Sequence, residues 1–109
     1  MDGEDHDEVV RILRREGFTR NQSRIIDFLD RNPDSSLTDL TLQLRITNAR
    51  AISSLKDLLS YGFVQRMQIR RTYSRGRSHF IYRLKMSVND IMEEARRMVE
   101  IIYVDYEHE

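Results

Sequence analysis

The 109 residues contain no cysteine, a single proline and four glycines. Without cysteine there is neither a disulfide framework nor a thiolate metal site. So little proline and glycine leaves no room for a flexible linker, and internal repeats and low-complexity tracts are absent as well. No apolar run approaches the ~20 residues that a membrane-spanning helix needs. The N-terminal MDGEDHDE is acidic and lacks the basic-then-apolar order of a signal peptide. Gly-rich phosphate loops, nucleophile elbows and paired-carboxylate sites are missing too. His6, His79 and His108 are too far apart to match a metal-ligand spacing. These absences predict one cytoplasmic, non-enzymatic domain with a modest core, no cofactor and no membrane contact.

Charge is plentiful but unevenly spread. The formal net charge is zero. Residues 1–8 nevertheless carry five acids and no base, and residues 89–109 carry seven acids against two arginines. Between them, residues 9–88 hold sixteen bases against six acids, a charge of +10. That distribution, more than the overall balance, decides whether a polyanion is attracted. Sixteen of the eighteen bases are arginine, whose forked guanidinium suits phosphate and guanine edges. The sharpest concentration is RRTYSRGRSHF at 70–80, with four arginines and no acid.

Hydrophobic spacing and turn chemistry predict the elements. Val9, Ile12 and Leu13 mark a first helix that Gly17 stops. Thr19 and Gln22 form a capping box for a second helix with Ile25, Ile26 and Leu29 inward. Asn32-Pro33-Asp34 is a turn. Ser36 and Asp39 cap a short helix striped by Leu37, Leu40 and Leu44. Thr47 caps a fourth helix, NARAISSLKDLLSY, ended by Gly62. Stepping ~100° per residue places Ala51, Ile52, Leu55, Leu58 and Leu59 on its inner face. Ala49, Arg50, Ser53, Lys56 and Asp57 fall on its outer face. FVQRMQIRRTY, with apolar Val64, Met67 and Ile69 and a slip of period before Met67, and HFIYRLK read as two strands joined around Gly76. Ser87 and Asp90 open a last helix with Val88, Ile91, Met92, Ala95, Met98, Val99, Ile102 and Tyr106 at helical spacing.

The stretch SSLTDLTLQLRITNARAISSLKDLLSYGFVQR resembles the winged helix-turn-helix of MarR-like and TrmB-like transcriptional regulators. Its short capped helix, tight turn and second helix lead into Leu58, Gly62, Phe63 and Val64, the family's Leu-x-x-x-Gly-(Leu/Phe)-Val entry to the wing. The resemblance covers roughly residues 18–86. Arg45 stands where the family often has glycine, and Thr41 where it usually has alanine. The implied fold is mainly α with a small β-hairpin wing (α+β). Residues 1–8 would be an acidic tail, 9–86 the winged-helix domain and 87–109 a C-terminal dimerisation helix.

By that resemblance the fourth helix enters a major groove, and the wing tracks the backbone or minor groove of double-stranded DNA. Asn48, Arg50 and Ser53 become base-edge candidates, with Arg50 suited to guanine and Asn48 to adenine. Thr47 at the helix N-terminus is a phosphate candidate. Arg75 and Arg77 would sit at the wing tip, and Lys56, Arg70 and Arg71 would add phosphate contacts. Tyr73 is a candidate for wing packing or stacking. The last helix carries a stripe of Ile91, Met92, Ala95, Met98, Val99, Ile102 and Tyr106 that predicts a homodimer. A protein-interaction module and an RNA-binding winged helix are the alternatives, since a basic wing suits either. No residue pattern names a small-molecule effector, a cognate site or the direction of regulation.

Overall fold

The computed structural model describes the backbone of residues 2–70 and 78–108 and the side chains of residues 7–70 and 79–98. In chain order the elements are α1 (Asp2–Arg15), α2 (Arg20–Arg31), β1 (Ser35–Ser36), α3 (Leu37–Leu44), α4 (Asn48–Ser60), β2 (Val64–Arg70), β3 (Ser78–Leu84) and α5 (Val88–His108). Among the described residues, five helices and one antiparallel sheet make the α+β winged-helix arrangement that the resemblance implies.

Local chemistry explains most boundaries. Thr19 Oγ1 accepts from the Gln22 backbone N–H at 3.1 Å, and Thr19 N–H donates to Gln22 Oε1 at 3.0 Å. Ser36 and Asp39 repeat the reciprocal pair at the start of α3. Each box satisfies two backbone donors that have no partner inside the helix. At the other end, α1 and α4 stop in the same way. Gly17 (φ 107°) and Gly62 (φ 81°) both lie in the region where a side chain is disfavoured. Beyond each glycine an N–H folds back onto the helix, from Phe18 to the Leu13 carbonyl and from Phe63 to the Leu58 carbonyl. α1 begins at Asp2, so the helix expected from residue 9 extends back through the acidic segment.

One core joins the layers. Leu13, Phe18, Ile25, Ile26, Leu29, Leu40, Leu55, Leu58, Phe63 and Ile91 are all buried in it. α2 is its centre, packing against α1, α3, α4, α5 and β3. The Phe18 and Phe63 rings meet edge-on with centroids 5.7 Å apart, a favoured aromatic geometry. They join the two helix-ending turns directly.

The sheet differs from a plain hairpin. Its order is β1-β3-β2, with Ser35 opposite Tyr82 and Ser36 opposite Ile81. Ser36 is thus the last residue of β1 and the N-cap of α3 at once. β2 and β3 pair without interruption from Val64↔Leu84 to Arg70↔Ser78. The expected slip of period before Met67 therefore has no counterpart in the ladder; Val64 is buried, while Ile69 is exposed. Asp34, at φ 64°, receives two hydrogen bonds from Arg83, at 2.6 and 2.7 Å. These bonds, together with the nearby charge, raise the Arg83 guanidinium's pKa above its ordinary value. The bridge fastens the β1 turn to the wing.

Candidate nucleic-acid interface

α4 presents one polar face because its other face is used up by packing. Ala51, Ser54, Leu55 and Leu58 are buried against the body. Asn48, Ala49, Arg50, Ser53, Lys56 and Asp57 are all exposed. The outer face read from the sequence is therefore present as a surface. Thr47 caps it, its hydroxyl accepting from the Arg50 N–H at 3.2 Å, so Arg50 is the third residue of a helix whose start is fixed.

Ile52 departs from expectation: it is 45% exposed, not inward. A step of ~100° per residue sets it about 60° from Leu55, at the edge of the apolar arc. Neighbouring elements cover the arc's centre and leave that edge open. It joins Ala49 and Lys56 on the surface.

Two side chains of α2 position the α3–α4 unit. Gln22 Nε2 donates to Asp57 Oδ2 at 3.1 Å, so this acid is held against α2 beside the candidate contact face. Arg24 Nη2 donates to the Leu44 carbonyl at 2.7 Å. That bond satisfies a free acceptor at the end of α3 and sets a positive charge against its negative dipole end. Next to it, the start of α2, the α3–α4 turn and the start of α4 enclose an open cleft of about 470 Å³. Arg20, Arg24, Arg45 and Arg50 line it, with Thr19 and Asn21. A second cleft of about 370 Å³ shares Thr19, Asn21 and Arg50 with it and runs past Ser53 to Asp57.

In the wing, Arg70 is exposed at the end of β2. Arg71, Tyr73, Arg75 and Arg77 lie outside the described residues. Residues 64–86 hold seven bases and no acid, yet two of these bases already have intramolecular partners. Arg83 is bound by Asp34. Arg66 lies over the Phe80 ring, its guanidinium carbon 4.4 Å from the centroid.

α5 divides its apolar stripe between two surroundings. Ile91 (0% exposed) and Ala95 (7%) are part of the chain's own core, with Met92 partly buried against it. The body of the same chain already covers Ile91 and Ala95, two of the residues expected at a subunit interface. Met98 is 37% exposed. The side chains of Val99, Ile102 and Tyr106 lie outside the described residues. Arg96 ties α5 back to the end of α1 through two N–H groups on Glu16 Oε1, at 3.0 and 2.9 Å. These hydrogen bonds raise the Arg96 pKa.

Among the described residues there is no cluster of three or more potential metal ligands. None of the described helices is long and apolar enough to cross a membrane.

No family model matches the chain, and no curated protein matches it either. Solved structures do resemble it. A possible transcriptional regulator from Methanosarcina mazei Go1 matches over 99% of this chain and 85% of its own, with TM-score 0.65 and 18% identity. A MarR family transcription regulator matches over 94% and 65%, with TM-score 0.57 and 23% identity. FabT of Streptococcus pneumoniae in complex with DNA matches over 80% and 57%, with TM-score 0.51 and 17% identity. The fold is that of MarR-like winged-helix regulators.

Within this winged helix, reading the sequence missed the arginine cleft. Its members come from α2, the α3–α4 turn and α4, so no window of the chain displays them together. The one available signal was Arg45 in place of the usual glycine.

Proposed function

We propose that this chain is a sequence-specific, duplex-DNA-binding transcriptional regulator that acts as a homodimer. The observation that carries this is the exposed face of α4, acid-poor at its N-terminal half and flanked by arginines from α2 and the α3–α4 turn. Asn48, Arg50 and Ser53 read base edges in the major groove. Thr47, Lys56 and Arg70 contact phosphates, as do Arg71, Arg75 and Arg77 of the wing by their place in the sequence. Ile52, exposed beside them, supplies an apolar surface for a thymine methyl. FabT, whose fold this chain shares, was solved with DNA, which supports the choice of partner. The stripe beyond Ala95 pairs two chains, so that two α4 helices reach successive major grooves about 34–36 Å apart.

The test is a salt titration of binding to random duplexes, with single-stranded RNA as competitor. Log affinity is expected to fall with log salt by about 0.9 per phosphate neutralised. Preference for the RNA, or affinity indifferent to salt, contradicts the proposal.

Arg50→Ala is expected to relax sequence preference, because a bidentate base contact contributes ~1–3 kcal/mol of discrimination. Affinities on a selected site and on its scrambled version decide the matter. An equal loss on both would make Arg50 a phosphate contact.

A further inference from the structure

Three arginines around one cleft stand where local physical chemistry disfavours them. Arg45 holds the left-handed conformation, φ 54° and ψ 49°, at the C-cap of α3. Glycine adopts that region freely, whereas a side chain crowds the following carbonyl. Arg20 is the first residue of α2 and Arg50 the third of α4. A cation there meets the positive end of the helix dipole, and neither helix has an acid in its first turn to offset it. With Arg24, these residues line the same cleft of about 470 Å³, which no carboxylate enters. Arginine cannot shed its proton to relieve the repulsion. An anion can.

We propose that this cleft is a phosphate clamp. It takes phosphodiester oxygens of the DNA strand flanking the bases read by α4, with Arg20 and Arg45 as its main contacts. The inference rests on the DNA-binding reading and adds a second anchor built from α2, the α3–α4 turn and α4, with no wing residue in it. Thr19, Asn21 and Arg50 line both clefts, and of these Arg50 also belongs to the proposed groove-reading face. Unfavourable local choices that converge on one surface mark a binding site kept at the expense of stability.

Arg45→Gly and Arg20→Gln test this, the first by moving stability and affinity in opposite directions. Arg45→Gly is expected to raise the thermal midpoint by ~2–5 °C, because glycine relieves the left-handed strain. Both variants are expected to lower duplex affinity about tenfold at fixed salt and to flatten the log–log salt slope by about one unit each. Arg45→Lys is expected to keep most of the slope. Wild-type binding with unchanged slopes in both variants removes the clamp and leaves the DNA reading standing. No duplex binding by the wild type removes both. Should Arg45→Gly fail to fold, the slope of Arg20→Gln alone decides. A midpoint raised by millimolar pyrophosphate in the wild type but not in the Arg20→Gln, Arg45→Gly double variant, with duplex slopes unchanged, would assign the cleft to a free phosphorylated ligand and overturn the proposal.

Discussion

Phe63→Ala is expected to destabilise the fold by about 3–5 kcal/mol, the usual loss when a buried aromatic side chain is truncated. A domain of this size has a total stability of only ~5–15 kcal/mol. Phe63 is 2% exposed and packs on Phe18 and Tyr61, with centroid distances of 5.7 and 5.9 Å. Its backbone is equally committed. The N–H closes the end of α4 on the Leu58 carbonyl, and its own carbonyl accepts from the Lys85 N–H at 2.9 Å. Truncation therefore loosens the junction between α4 and the wing as well as the core. Urea unfolding followed by circular dichroism measures the effect. A loss below about 1 kcal/mol would show that the site collapses without a cavity and that Phe63 is not the anchor of α4.

The Val99→Glu, Ile102→Glu double variant is expected to be monomeric and to bind a palindromic site at least ~100-fold more weakly. Pairing two half-site contacts through one interface multiplies affinity by about 10²–10⁴ without any new contact to DNA. The argument starts from what α5 has left over. Ile91 and Ala95 are taken up by the chain's own core, whereas the helix continues to His108. From Met98, 37% exposed, the sequence carries the same apolar spacing on through Val99, Ile102 and Tyr106. Left uncovered, a stripe of this kind would be more than soluble monomers usually tolerate, and the proposed two-fold contact would close it. Light scattering at tens of micromolar and binding to the palindrome test this together. A variant that stays dimeric and binds as before would move the interface elsewhere, with residues 9–16 the next candidate.

Legibility from sequence followed the range of the interactions. The capping boxes of α2 and α3 join residues three apart, and the stop at Gly62, where the Phe63 N–H reaches the Leu58 carbonyl, joins residues five apart. Those were readable because cause and effect sit in one short window. β1 was not. Two serines make a strand only because Ser35 meets Tyr82, and nothing local to Ser35 encodes that meeting. Ile52 misled because helical periodicity finds the direction of an apolar arc and not the width that neighbours cover. The candidate contact face of α4 was legible, since exposure follows from the buried face opposite. Its setting was not: Gln22 reaches Asp57 across 35 residues, and Arg83 reaches Asp34 across 49.

Ser36 ends β1 and starts α3, while Val64, just after α4, pairs with Leu84 on the strand that β1 also joins. The α3–α4 unit is therefore closed into a ring by the root of the wing, and the far end, at the Arg70↔Ser78 pair, lies outside that ring. For a lineage exploring new binding sites, the two regions carry different freedoms. Insertions and deletions between positions 70 and 78 alter how far the wing reaches without reopening the closure. On the proposed DNA-binding reading, changes on α4 would alter which bases are met without altering that reach. Length and identity can thus be varied separately, so descendants of this chain can change one property of recognition while inheriting the other.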